Sequence, residues 1–234
     1  MGHCLKWMRM LVDMVWPRVC EVCRCSLVEG EDVLCLGCDI KLPRTMIHRN
    51  SFNSIHQRIA GKAPIERAGG YFYYYRESEY AELIHVAKYG GRPRVARVLA
   101  AQYAHELIDD SDFFNGIDLV LPVPLHKFKL WKRGYNQSDY IADGVADVTG
   151  IPVGHNLVAK RHGTQTRRNA YMRWLNTRNT YDVVRPEDLE HKHVLVVDDV
   201  VTTGATLLSC CEAIHRVAPT AKISVLVLAV AQLR

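Results

Sequence analysis

No run in the 234-residue chain is apolar for long enough to span a bilayer, and no small-residue cleavage site follows its first apolar stretch, residues 7–16. Arg9 and Asp13 interrupt that stretch, which reads as an amphipathic helix docking on the protein itself. Internal repeats and low-complexity tracts are missing, and so is a strong excess of either charge: 30 Lys and Arg stand against 25 Asp and Glu. A net charge of +5 does not by itself imply a nucleic-acid partner, because the distribution of charge matters more. No Gly-Lys-Ser or Gly-Lys-Thr occurs, which excludes a Walker phosphate loop. With 48% apolar and 24% charged residues, wholesale disorder is excluded too. What remains is a cytoplasmic globular protein of one medium domain and a small appendage.

Cysteine, by contrast, is plentiful. Four of the eight fall as Cys20-x2-Cys23 and Cys35-x2-Cys38, while Cys210 and Cys211 lie in a helical pattern. Paired knuckles of this kind, without a secretion signal, point to a metal and not to disulfides. Two knuckles bring four thiolates to one tetrahedral Zn2+, which fills its coordination sphere, so the zinc is expected to be structural. Cys25 is out of phase and reads as a spare thiol. Two such pairs outside a thioredoxin-like setting argue against a redox role.

The pattern divides into a Cys-rich unit at 1–45, a polar connector without clear periodicity at 46–64, and alternating strands and helices over 65–234. Strands are predicted at 68–75, 117–123, 193–197 and 222–230, and helices at 78–88, 94–108, 136–149 and 205–217. Val95, Val98, Leu99, Tyr103 and Leu107 make one stripe; Leu207, Leu208, Cys211 and Ile214 make another. Such alternation predicts an α/β fold with a mostly parallel sheet and ligands at the carboxyl ends of its strands.

One junction carries the most chemistry. The apolar strand at 193–197 runs into Asp198-Asp199, then Val200-Val201-Thr202-Thr203-Gly204-Ala205-Thr206, then a helix. Adjacent carboxylates repel, so such a pair faces hydroxyls or a cation that absorbs the charge. The following turn presents successive backbone N–H groups at a helix N-terminus, which suits a phosphate dianion. Thr202, Thr203 and Thr206 add hydroxyl donors, and Gly204 permits close approach of the backbone. Carboxylates beside a phosphate cradle match a sugar phosphate. The plainer alternative is a strand end with a Thr-rich helix cap.

This segment resembles the motif that binds 5-phosphoribosyl pyrophosphate (PRPP) in type I phosphoribosyltransferases. The cysteine knuckles, Lys88-Tyr89-Gly90-Gly91, Pro122-Val123-Pro124, Arg133-Gly134-Tyr135-Asn136-Gln137 and Thr164-Gln165 extend the resemblance to the ComF family, competence-associated and amidophosphoribosyltransferase-like, over nearly the whole chain. The resemblance implies a type I phosphoribosyltransferase fold behind a small Cys4 zinc-ribbon-like unit. It implies Asp198 and Asp199 on the ribose hydroxyls and Val201, Thr202, Thr203, Gly204, Ala205 and Thr206 around the 5-phosphate. It implies either transfer of ribose 5-phosphate from PRPP to an acceptor, or a non-catalytic, PRPP-responsive role in handling single-stranded DNA beside other competence or recombination proteins. No segment stands out as an acceptor-recognising hood. One departure from amidophosphoribosyltransferases is that Cys4 follows Met1-Gly2-His3 and fewer than 65 residues precede the transferase part, so glutamine-dependent transfer is not expected.

A pyrophosphate leaving group needs Mg2+ and cationic or amide donors, because charge builds on it as the anomeric bond breaks. Two stretches supply cations without any acid. Residues 126–138 carry Lys127, Lys129, Lys132 and Arg133; residues 160–181 carry Lys160, Arg161, Arg167, Arg168, Arg173 and Arg178. Lys127, Arg133, Asn136, Gln137 and Arg167 are the pyrophosphate candidates, with residues 163–173 placed to close over it. Arg133 joins the acidic pair as a catalytic candidate. The same stretches suit a solvated face or a nucleic-acid backbone, with Tyr135, Tyr171 and Trp174 available to stack on bases.

Overall fold

The computed structural model describes residues 17–59, 63–160 and 180–232. The apolar stretch at 7–16 and the closing segment at 163–173, with Arg167, lie outside the described residues. Four strands form one parallel sheet in the order β1 (Ala68–Tyr74), β6 (Lys222–Ala231), β5 (His193–Val201), β2 (Leu119–Pro122). Two short strands, β3 (Leu157–Ala159) and β4 (Tyr181–Val183), pair antiparallel beside it. The predicted mostly parallel α/β sheet is therefore present.

Alternation of side chains along the central strands builds a core on each face. Leu195 and Val197 of β5 and Leu226 and Leu228 of β6 join one apolar cluster. Val194, Val196, Ile223, Val225 and Val227 join the other. The first face is covered by α3 (Ala81–Tyr89), α4 (Arg94–Asp110) and α6 (Gln137–Thr149). The second is covered by α2 (Ser54–Ile59) and α7 (Ala205–Val217). Both predicted helix stripes face inward, with Val98 and Leu208 at the margins of their clusters. Helices α4 and α6 meet at Gly144, where a Cβ would collide with the Arg97 carbonyl oxygen.

Strands β3 and β4 and a helix at Lys127–Arg133 add to the elements read from the sequence, and two further segments depart from that reading. Residues 46–64, where no periodicity is visible, contain a 3-10 turn at Ile47–Arg49 and the helix α2, and they bury Ile47, Ile55 and Ile59 against the sheet. Six residues are too few turns for a helical period to show. The strand β5 also runs through both acids to Val201, four residues beyond its predicted end.

The Cys-rich unit folds as a turn at 20–25, where the Cys20 amide donates to the Cys25 carbonyl at 2.8 Å, followed by α1 (Leu36–Ile40). Cys20, Val33, Leu34, Cys38 and Leu42 share the first core cluster with α3 and α4. Polar contacts lie at both ends of α3: Tyr80 Oη donates to the Cys38 carbonyl at 2.9 Å, and Arg92 donates to the buried Glu21 at 2.9 Å.

Candidate functional site

A cleft of about 1500 Å3 opens at the carboxyl ends of the strands. Asp198 and Asp199 lie in its wall with Lys88, Ser138, Thr202 and Thr206. The cleft is where an open parallel sheet places its ligand.

Although consecutive in β5, the two acids have different partners, one on α6 and the other on α3. Asp199 shares the parity of Leu195 and Val197 and turns toward α3, where Lys88 Nζ lies 2.9 Å from its Oδ1. Its other oxygen, Oδ2, is buried and has no hydrogen-bond partner among the described residues. Asp198 Oδ1 accepts from Ser138 Oγ at 3.2 Å and from the Asp199 amide at 2.9 Å. Burial, reinforced by the neighbouring Asp199 charge, pushes the Asp198 carboxyl up to about 7. The pair thus reaches neutral pH without carrying two full charges at one point.

Beyond Val201 the turn is open to solvent: Thr202, Thr203, Ala205 and Thr206 are exposed. Gly204 takes φ +81° and caps α7. A left-handed residue at that point favours glycine, and any Cβ there would lie 3.1 Å from Arg58 Cβ. Arg58, on α2, donates through Nη1 to the carbonyls of Val201 (3.0 Å) and Thr202 (2.6 Å), and through Nη2 to that of Ala231 (2.6 Å).

The pyrophosphate candidates separate in space. Arg133 and Gln137 line the cleft, hydrogen-bonded to each other, and the Arg133 guanidinium sits 4.9 Å above the Tyr89 ring. Lys127 is exposed on α5 (Lys127–Arg133), outside the lining. Asn136 is buried at the start of α6; its Oδ1 accepts from the Ser138 amide, and its Nδ2 donates to the Val123 carbonyl at 3.1 Å and to Asp139 at 2.8 Å. Its polar atoms serve the helix cap.

Sequence reasoning gave no role to Lys88, Ser138 or Arg58. Lys88 stands in one of the motifs that carry the family resemblance, which was the available signal. Arg58 had none, since its carbonyl partners lie 143 or more residues away.

At the other end of the sequence, the sulfurs of Cys20, Cys23, Cys35 and Cys38 all lie within 4.8 Å of one another, and those of Cys23 and Cys35 are 3.6 Å apart. Sulfurs about 2.3 Å from a tetrahedral zinc are separated by roughly 3.8 Å, so the donor set fits such an ion. Cys25, the spare thiol of the spacing argument, has its sulfur 3.1 Å from that of Cys23, at the edge of the cluster.

The phosphoribosyl transferase domain family matches residues 141–233, which include the acidic pair and the turn after it. Competence protein F of Haemophilus influenzae is 37% identical over 93 residues, covering 38% of this chain and 41% of that protein. DNA utilization protein YhgH of Escherichia coli is 24% identical over 211 residues, covering 86% of this chain and 92% of that one. Among solved structures, the Bacillus subtilis glutamine PRPP amidotransferase aligns at 22% identity and TM-score 0.39, over 58% of this chain and 26% of that one. Adenine phosphoribosyltransferase of Leishmania tarentolae aligns at 12% identity and TM-score 0.36, over 77% and 89%. Likeness at those scores extends to no shared ligand. Among the described residues, no helix is long and apolar enough to cross a membrane. The chain is a homologue of competence protein F and the YhgH proteins, with a phosphoribosyl transferase domain match over residues 141–233 and a four-cysteine cluster near its start.

Proposed function

We propose that the cleft binds PRPP, or a close ribose 5-phosphate relative, as a phosphoribosyltransferase would. The observation that carries this reading is the buried Asp199 Oδ2, an acceptor without a donor in the wall of an open cleft. A buried polar atom without a partner costs roughly 1–3 kcal/mol, and a ribose hydroxyl relieves that cost. In this reading Asp198 and Asp199 take the ribose hydroxyls, and Lys88 offsets the charge of Asp199. The backbone of Val201, Thr202, Thr203, Gly204, Ala205 and Thr206 holds the 5-phosphate at the start of α7, where amides and helix dipole favour an anion. Arg133 and Gln137 of the cleft lining take the pyrophosphate, whereas Lys127 lies outside the lining, Asn136 serves the helix cap and Arg167 lies outside the described residues. Mg2+ bound with PRPP offsets the charge that develops on the leaving group. The four-cysteine cluster is assigned a structural Zn2+.

Calorimetry with PRPP and Mg2+ tests binding. Asp199→Ala should weaken PRPP by about tenfold or more, equivalent to one hydrogen bond to a charged group, with the fold intact. Unchanged affinity would remove the acidic pair from the site. Turnover is tested by screening acceptors for pyrophosphate release: release selects a transferase, and binding without release selects a PRPP-responsive binding protein.

A second reading, a single-stranded nucleic-acid partner, is favoured by one observation. Helix α5 buries none of its residues, Trp131 is 82% exposed and Phe128 68%, and four cations accompany them without an acid. Aromatic stacking among backbone-neutralising cations suits unpaired bases. Single-strand affinity should then fall steeply with salt, with a shallower slope in a Lys127/Lys129/Lys132 triple-Ala variant. A flat salt response discards this reading.

A further inference from the structure

A phosphate loop has two sides. Amides that face a bound anion leave carbonyls turned the other way, and a carbonyl withdrawn from water needs a donor. Here one side chain supplies it. The Arg58 guanidinium binds the carbonyls of Val201, Thr202 and Ala231 at 2.6 to 3.0 Å, tying the end of β5, the first loop residue and the end of β6 to one planar group. Arginine alone among side chains offers five donors in a fixed fork and no acceptor.

The helix that carries Arg58 is itself fixed. Asn53 Nδ2 donates to the carbonyls of Ala68 (2.7 Å) and Ile47 (3.1 Å), and its Oδ1 accepts from the Ile55 amide at 3.0 Å. Ile55 and Ile59 are buried to within 1%. The same helix backs the loop directly, since a Cβ on Gly204 would come within 3.6 Å of the Arg58 carbonyl carbon. Arg58 is absent from the cleft lining, so it acts from behind the loop.

We infer that Arg58 is a positioning residue for the phosphate loop: it fixes the Val201 and Thr202 carbonyls so that the loop amides stand ready for an anion, and it places a permanent cation behind them. The inference rests on reading the cleft as a ribose 5-phosphate site. Its effect is confined to the 5-phosphate end, away from Arg133 and Gln137.

Two full-length variants, Arg58→Lys and Arg58→Ala, test it by two measurements. The first is the NMR order parameter of the Val201, Thr202 and Thr203 amides in ligand-free protein. It should fall from about 0.85 to 0.6 or below, while the amides of His193 to Val197 stay rigid. The second is calorimetric titration with ribose 5-phosphate and, separately, with inorganic pyrophosphate. Affinity for ribose 5-phosphate should drop roughly tenfold, and that for pyrophosphate should stay within about twofold. Lysine, a single point donor, should not rescue, and it decides the matter if the alanine variant does not fold. Unchanged order of the loop in Arg58→Lys, or equal weakening of both ligands, overturns the inference. Wild-type protein that binds no ribose 5-phosphate sinks the reading of the cleft, and the order parameters still judge the hold of Arg58 on the loop.

Discussion

Replacing Asp198 by Asn should remove a pH dependence of stability that wild type shows. In the folded chain the Asp198 carboxyl is raised from 3.8 to about 7, first by burial and then by the charge of Asp199; Lys88, Ser138 and the Asp199 amide pull the other way. The raised value means the folded state prefers the protonated acid. That preference stabilises the protein fully below about pH 4, and the contribution is lost as the pH rises toward 7. At 1.36 kcal/mol per pH unit, the loss is on the order of 4 kcal/mol. Asn keeps the acceptor for Ser138 and for the Asp199 amide but cannot ionise. Urea unfolding of both proteins between pH 4 and pH 8 gives a difference curve from which the other titrating groups largely cancel. Wild type should lose on the order of 4 kcal/mol relative to Asp198→Asn across that window, and Lys88→Met should shift the window upward. Parallel curves, or a wild type that gains on its variant as pH rises, would show that Asp198 is ionised at little cost and would refute the electrostatic account.

Other consequences are independent of this one. Gly144→Ala should cost about 1–3 kcal/mol, read as a lower melting temperature, because the added carbon meets the Arg97 carbonyl at the α4–α6 contact. Metal analysis of protein purified without chelator should find about one zinc per chain. Stripping that zinc should lower the melting temperature by roughly 4–8 °C, the equivalent of about 2 kcal/mol, because Cys20 and Cys38 belong to the first core cluster. Finding no metal would reject the zinc assignment, and an unchanged melting temperature after stripping would reject its structural role.

Elements under the control of local patterning are legible in the order of residues alone. Apolar runs and helical stripes gave four parallel strands and the large helices, because burial on a sheet face imposes a period that a short window contains. The two cysteine knuckles were legible for the same reason: two residues of spacing bring paired sulfurs together without help from distant parts of the chain. The strand–acid–acid–turn–helix order located the candidate cleft. How the parts of that cleft divide their work depends on packing between distant segments. The packing of α3 and α6 at the end of β5 gave Asp199 to Lys88 and Asp198 to Ser138, so two neighbouring acids acquired different environments. The capping bonds of Asn136 and the removal of Lys127 from the cleft follow from where α5 and α6 pack. Arg58 reaches carbonyls 143 to 173 residues away, and such a contact leaves no local period or spacing to read. It exists because folding brings a six-residue helix to the back of a loop whose carbonyls need a donor.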